Sequence, residues 1–181
     1  ADFANVVREM REKLGAPAYS VGIPIGSEEE LVGLIDVVNQ KALIYDPADE
    51  LGSVVKIEEV PDELKPVAEV ALEELVEAVG DLDDQVMEML LGDEPVDAAS
   101  LKRAIRRLTI ANEFVPVLGG SAYKNKGIQP MVDAVVDYLP SPLDVEAAHG
   151  ADREDSSILT ELSANDNGPF CSLAFKLWTD P

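Results

Sequence analysis

The loop at residues 117–131, VLGGSAYKNKGIQPM, has the residue types and spacing of a ligand-binding turn. An apolar run stops at Gly119 and Gly120, the small pair Ser121 and Ala122 follows, and a new apolar-periodic segment then begins. Glycines permit a turn where a side chain would clash, and a strand, a glycine turn and a helix start form ligand loops in α/β proteins. The pattern predicts a site in which backbone N–H groups contact a ligand.

A backbone N–H in this loop would distinguish guanine from adenine. Guanine presents the acceptor O6 where adenine presents an amino donor, so one well-placed N–H accepts the first base and rejects the second. Lys124 and Lys126 could neutralise a phosphate or cover a base. Simpler roles also fit, because an ordinary βα turn with two solvated lysines has the same composition.

A stripe of three glutamates, Glu69, Glu73 and Glu77, is the second candidate surface. Like charges at i, i+4 spacing destabilise a helix by a few tenths of a kcal/mol per pair, and a basic partner would relieve that repulsion. The surrounding residues 58–99 carry fifteen acidic side chains and one basic side chain. A solvated face is the alternative, and the basic cluster between Lys102 and Arg107 could neutralise part of this charge internally.

Composition excludes several classes of protein. The net charge of −22 would repel nucleic-acid phosphates, so no direct nucleic-acid site is expected. No apolar run approaches the roughly 18 residues of a membrane span, and a cytoplasmic setting fits best. One cysteine, Cys171, and one histidine, His149, exclude an internal disulfide and argue against a zinc site. No catalytic set or metal-ligand spacing is seen, and Cys171 is expected to be a small buried side chain.

The usual companions of a nucleotide site are missing. The sequence has no GxxxxGK[ST] phosphate loop, so no recognisable element here holds a triphosphate or places Mg²⁺. The stretch NKGI resembles a guanine-reading NKxD motif, but Ile128 stands where the carboxylate is needed.

Periodicity and turn residues predict the elements that position these residues. The opening DFANVVREMREKLG reads as a helix capped by Asp2 and Gly15, and short β-branched runs between residues 19 and 59 read as a small antiparallel sheet. Three helices, a buried strand FVPVLGG and a last helix GIQPMVDAVVDYLPSP follow. The inward faces are predicted to contain Phe3, Val6, Val7, Met10, Leu14, Leu64, Val67, Ala71, Leu72, Leu75, Val79, Leu101, Ile105, Leu108, Ile128, Met131, Val132, Val135 and Leu139.

The segment GSAYKNKGIQPMVDAVVDYLPSPLDV closely resembles translation elongation factor G, where it holds the fifth guanine-nucleotide motif and the last helix of the GTPase domain. DFANVVREMREKLGAPAYSVGIPIG is similar to the helix after that family's NKxD motif, and PFCSLAFKLWTDP looks like the first strand of its second domain. The resemblance implies an α/β fold, the C-terminal part of a P-loop-type GTPase domain that carries an α+β insertion. It divides the chain into GTPase-domain residues 1–15 and 113–140, an inserted subdomain at 16–112, a linker at 141–168 and a first β-barrel strand at 169–181.

The family's role implies what this chain would do. Elongation factor G uses GTP to drive translocation of transfer RNA and messenger RNA on the ribosome, and some members act in ribosome recycling. By position, Ser121 would brace the loop, the Ala122 amide would donate to guanine O6, and Tyr123, where the family usually has Phe or Leu, would line the base. GTP or GDP would be the ligand, with Mg²⁺ held by parts outside this chain. Because the phosphate-binding motifs are absent, the chain alone is expected not to hydrolyse GTP.

The acidic helix resembles the surface that meets the flexible ribosomal stalk protein in this family, which assigns partner binding to Glu69, Glu73 and Glu77. The abrupt start inside a helix and the unpaired last strand favour a piece of a larger protein. Two alternatives stay open: a stand-alone acidic interaction module without nucleotide chemistry, and a fragment of a related ribosome-associated GTPase.

Overall fold

The computed structural model describes residues 2–49, 52–151, 155, 157, 159–168 and 170–179. They form a mixed α/β structure with a five-stranded sheet, a two-stranded sheet and helices. Two compact units divide the chain at Leu139 and Pro140. The elements are α1 (Phe3–Leu14), β1 (Ala18–Ile25), a 3₁₀ turn (Glu28–Glu30), β2 (Gly33–Asp36), β3 (Lys41–Tyr45), β4 (Val55–Glu59), α2 (Lys65–Gly80), α3 (Asp84–Leu91), α4 (Ala98–Ile110), β5 (Val115–Leu118), α5 (Ile128–Tyr138), β6 (Ala148–Ala151) and β7 (Leu159–Leu162).

Helix α1 has the two caps that the sequence predicts. The Asp2 carboxylate accepts a hydrogen bond from the Asn5 amide at 3.1 Å, and Gly15 ends the helix with φ of 63°. Its predicted inward face is only partly correct, because Val6 and Leu14 are exposed. Helix α1 packs mainly against β1, so only a narrow stripe of its surface is covered.

The five-stranded sheet has the order β4-β3-β2-β1-β5. The first four strands pair antiparallel, as predicted for a small sheet between residues 19 and 59. The fifth, β5, pairs parallel with β1 in a register that places Ala18 beside Val115. The apolar run FVPVLGG is therefore part of the same sheet as the small antiparallel strands. Local pattern does not reveal this pairing, because a parallel partner can lie far away in the sequence.

Helices α2, α3 and α4 build the main core on one face of the sheet. Leu75 and Val79 of α2 and Leu101 and Ile105 of α4 are buried there, as predicted, together with Phe114 before β5. The predicted inward face of α2 is wrong at Val67, which is 49% exposed. Ala68 and Ala78 are buried instead, because the small side chains lie where the helix approaches its neighbours.

The final helix of the first unit, α5, buries less than the sequence predicts. Met131, Val132, Val135 and Leu139 are all exposed, and only Tyr138 is fully buried. Ala134 and Tyr138 pack into the core, where α5 lies against α4, so the inward stripe is rotated from the predicted one.

The second unit differs from the predicted linker and last strand. Within residues 141–168, β6 and β7 form an antiparallel pair with Ala148 opposite Leu162. Residues 170–179 form no strand and their large apolar side chains are exposed, whereas residues 169, 180 and 181 of the predicted strand lie outside the described part. A single extended segment gains no ladder hydrogen bonds without a neighbouring strand, so strand propensity alone does not produce one. Cys171 is exposed as well, contrary to the expected burial.

No helix in the described ranges is long and apolar enough to cross a membrane.

Asp83 joins α3 to α4 and is the one buried acid among the described residues. Its carboxylate caps α3 by accepting from the Val86 amide at 3.2 Å. It also accepts from Arg107 Nε at 3.0 Å and from Arg107 Nη2 at 2.7 Å, which is a two-pronged ion pair. One side chain therefore fixes both the start of α3 and its position against α4.

We expect Asp83→Ala to lower the free energy of unfolding by roughly 2–3 kcal/mol, because it removes a cap and leaves Arg107 without its partner. Asp97→Ala is the matched control, since Asp97 caps α4 through the Ser100 amide at 2.7 Å and, within the described residues, forms no ion pair with an arginine. That variant should lose about 1 kcal/mol. Equal losses in urea titrations of the two variants would show that the arginine pair contributes nothing.

Candidate functional site

The loop after β5 closes on itself through backbone hydrogen bonds. The Ser121 amide donates to the Lys126 carbonyl at 2.8 Å, and the Lys126 amide donates back to the Ser121 carbonyl at 3.0 Å. Inside this pair, the Asn125 amide donates to the Ala122 carbonyl at 3.1 Å, which makes residues 122–125 a tight turn. Ser121 is therefore the base of the turn, and Ala122 and Tyr123 lie near its tip.

Glycines hold the loop close to its surroundings, as predicted. A Cβ on Gly119 would lie 2.7 Å from Pro24 Cδ, and a Cβ on Gly120 would lie 2.8 Å from the Lys126 carbonyl oxygen. Both distances are shorter than real Cβ contacts, so any larger residue would open the loop. The left-handed backbone of the loop is at Asn125, with φ of 51°, and at a third glycine, Gly127, with φ of 89°.

The residues predicted to contact guanine are presented outward. Tyr123 is 98% exposed and Ala122 is exposed, whereas Ser121 is half-buried. Within the described parts of the chain, no acceptor receives a hydrogen bond from the Ala122 amide. The Ser121 hydroxyl accepts a long hydrogen bond from the Lys124 amide at 3.4 Å. The loop therefore offers a backbone donor and an aromatic ring beside each other.

The two lysines of the loop are used internally. Lys124 Nζ donates to the Glu28 carbonyl at 2.8 Å, and Lys126 Nζ donates to the Leu31 carbonyl at 2.7 Å. Both carbonyls belong to the connection between β1 and β2. Lys124 Nζ also lies 3.4 Å from the Oε2 atom of the exposed Glu29, so the two lysines tie the loop to that connection.

A buried tyrosine at the end of β3 supports the loop, and no sequence pattern predicts this contact. Tyr45 ends β3 and is 1% exposed. Its hydroxyl accepts from the Gly127 amide at 2.6 Å and donates to Gln129 Oε1 at 3.1 Å. Gln129 Nε2 in turn donates to the Gly52 carbonyl at 2.7 Å. An aromatic residue at the end of a strand resembles any core residue, so only the fold reveals this contact.

Burial raises the pKa of Tyr45 above its ordinary value, although the hydrogen bond from Gly127 acts in the opposite direction. The hydroxyl is therefore neutral at ordinary pH, which lets it accept one hydrogen bond and donate another.

The acidic stripe is fully presented to solvent. Glu69, Glu73 and Glu77 are exposed on α2, and no ion pair to any of them is formed within the described ranges. The basic cluster does not reach them. Arg107 pairs with Asp83, and Lys102 Nζ lies 2.9 Å from Asp137 Oδ2.

No metal-binding cluster is formed by the described residues. They contain no group of three or more His, Cys, Asp or Glu side chains that could hold a metal ion. His149 lies in β6 opposite Glu161 of β7. Neither observation adds a catalytic set to the loop or to the stripe.

Comparison with known proteins identifies a shared fold. No family model matches the chain. Eighty chains of solved structures do match. One is a crystal structure of a protein from Thermus thermophilus, which is 26% identical with a TM-score of 0.68 over 80% of this chain. The chain spans 21% of that Thermus chain, about a fifth of its length.

Gly120→Ala should separate steric contact from backbone strain in this loop. Its Cβ would press on the Lys126 carbonyl, so we expect roughly 1–3 kcal/mol of destabilisation and faster hydrogen exchange at the Lys126 amide. Gly15→Ala is the control, because Gly15 has φ of 63° with no atom within 4 Å of the added Cβ. It should cost about 1 kcal/mol and leave the Lys126 amide unchanged. Unaltered exchange at Lys126 in Gly120→Ala would contradict the close approach.

Proposed function

We propose that this chain belongs to a guanine-nucleotide-binding protein of the elongation factor G type, which would use GTP to drive translocation on the ribosome in the cytoplasm. The main supporting observation is the Ala122 amide: it belongs to an exposed residue near the tip of an internally bonded turn and donates to no acceptor among the described residues. The sequence GSAYKNKGIQPMVDAVVDYLPSPLDV around it supports the same interpretation. Because the chain spans about a fifth of its Thermus neighbour, the activity of the whole protein is part of the proposal.

The loop geometry suits recognition of guanine O6. The acceptor O6 would receive the Ala122 N–H, whereas the amino group of adenine would place two donors against each other. The exposed Tyr123 ring would cover a face of the base, and the paired backbone of Ser121 and Lys126 would keep the donor in place. Phosphates and Mg²⁺ would be held by other parts of the proposed protein.

The acidic stripe would serve a different partner. Glu69, Glu73 and Glu77 are exposed, and within the described ranges none of them forms an ion pair. They could therefore attract a basic protein surface. In the proposed protein this surface would be a basic patch of the flexible ribosomal stalk protein. Ribosomal RNA is a poor partner for the stripe, because both are negatively charged.

A stand-alone acidic interaction module is the second candidate function. It is favoured by the net charge of −22 and needs only the stripe. A related ribosome-associated GTPase would share the loop. Selective binding of guanine nucleotides by the complete protein separates the first candidate from the acidic module.

Ala122→Pro should weaken GDP binding to the complete protein by about 5- to 150-fold, because proline lacks the N–H and leaves O6 unpaired at a cost of roughly 1–3 kcal/mol. The fold should tolerate the change, since the Ala122 amide bonds to no described acceptor and Ser121 already lies in an extended pairing. Ala122→Ser keeps the N–H and is the control. An unchanged GDP dissociation constant in a folded Ala122→Pro protein would remove this amide from the site.

Replacing Glu69, Glu73 and Glu77 by Gln should slow association with the stalk protein at low salt. Exposed charges mainly steer the encounter, so the difference should shrink near roughly 0.5 M salt, where the Debye length falls to about 4–5 Å. The variant should fold at least as well, because like-charge repulsion along α2 is relieved.

The control for this experiment removes three exposed charges from the second unit, with Glu146→Gln, Glu161→Gln and Asp166→Asn. Stopped-flow association of the control should match that of the original protein. If both triple variants slow association equally, only total charge matters; if neither does, the stripe is a solvated face.

A further inference from the structure

We propose that Tyr45 is a positioning residue for guanine selectivity: its hydroxyl fixes the direction of the Ala122 N–H although it touches no part of the base. This inference rests on the proposed guanine-binding function of the loop. The supporting observation is the hydrogen bond that the buried hydroxyl accepts from the Gly127 amide at 2.6 Å.

A short covalent and hydrogen-bonded path connects the hydroxyl to the donor. Gly127 follows Lys126, and Lys126 exchanges two backbone hydrogen bonds with Ser121 at 2.8 and 3.0 Å. Ser121 precedes Ala122, whose N–H would meet the base. A shift of Gly127 therefore moves Lys126, and Lys126 moves the peptide that carries the donor.

The hydroxyl is suited to this role because it satisfies a buried group. Gly127 is buried and its φ of 89° commits the backbone to one turn geometry. Without an acceptor, its N–H would be unpaired away from water, and the loop would relax to reach solvent. Phenylalanine in place of Tyr45 fills the same space but accepts no hydrogen bond.

Two further contacts involve residues 125–129 and connect them to Tyr45 and Gly52. Gln129 accepts from Tyr45 and donates to the Gly52 carbonyl. Gly52 itself lies so close that an added Cβ would be 2.4 Å from the Asn125 carbonyl oxygen. Gly127 and Gln129 are thus hydrogen-bonded to Tyr45 or Gly52, and Gly52 packs closely on Asn125, so Tyr45 and Gly52 together form a brace for the loop.

The effect expected of a positioning residue differs from that of a merely structural one. Tyr45→Phe should weaken GDP binding to the complete protein by about tenfold and leave the weaker ADP binding unchanged. The dissociation constant for ADP divided by that for GDP therefore falls by the same factor. A structural role would lower the folded fraction and reduce binding of both nucleotides by the same factor. Tyr138→Phe is the matched control, because Tyr138 is 4% exposed and lies on α5 away from the turn.

The experiment has two arms. Hydrogen exchange on the chain itself should show faster exchange at Gly127 and Lys126 in Tyr45→Phe and no change there in Tyr138→Phe. Titration of the complete protein with GDP and with ADP should show the loss of selectivity in Tyr45→Phe only. If Tyr45→Phe does not fold, Gln129→Met is tested instead. It removes the hydrogen bonds of Gln129 to Tyr45 and to Gly52, and it should lower the preference for GDP over ADP by a smaller factor.

The outcomes separate the two proposals. If the complete protein with Tyr45 intact binds GDP no better than ADP, the proposed function fails and this inference fails with it. If it prefers GDP and Tyr45→Phe keeps that preference, only the positioning role is overturned. Equal losses for GDP and ADP would also overturn it, because they indicate a structural role.

Discussion

The parallel pairing of β1 with β5 is the constraint on which the rest of the first unit depends. It brings together segments separated by the whole of residues 26–114, and its ends are fixed by hydrogen bonds from the Val115 amide to the Pro17 carbonyl and from the Gly119 amide to the Gly22 carbonyl. Helices α2 and α4 form their core across this junction. The pairing also places the loop after β5 beside the β1–β2 connection, where Lys126 can reach the Leu31 carbonyl.

Charge is distributed so that the few cations stabilise the fold and leave the acids of α2 exposed. Arg106 donates to the carbonyls of Val136, Asp137 and Leu139 at the end of α5, and Lys102 pairs with Asp137. Those carbonyls are the groups that a helix leaves without internal partners, so a guanidinium there compensates both hydrogen bonding and the helix dipole. Arg107 pairs with Asp83, so the basic cluster neutralises part of the acid of residues 58–99, as the sequence suggests, but within the described residues it forms no ion pair with Glu69, Glu73 or Glu77. The stripe is thus an exposed patch of negative charge on a chain of net charge −22, which is the property that the proposed docking role needs.

The sequence predicts correctly the features that depend on residues a few positions apart. Asp2 and Gly15 bound α1, and Leu101 and Ile105 face the core, because capping and helical periodicity involve residues a few positions apart. It fails where the answer depends on distant partners: the joining of β5 to the antiparallel strands, the rotated inward stripe of α5 and the unpaired residues 170–179. The candidate loop was predictable from its glycines. Its support by Tyr45 was not, since 82 positions separate that hydroxyl from the Gly127 amide.

The two candidate surfaces obey opposite physical requirements. Distinguishing bases by one N–H needs a donor whose direction is fixed before binding, since any reorientation costs affinity and admits the wrong base. For the proposed guanine site, the Ser121–Lys126 pair, the two lysines and the buried tyrosine would supply this fixed direction. Steering a protein partner needs accessible charge without fixed geometry, and the exposed glutamates of α2 provide that. If both proposals hold, the buried hydrogen bonds of the fold lie where direction matters, and its surplus charge lies where only attraction is required.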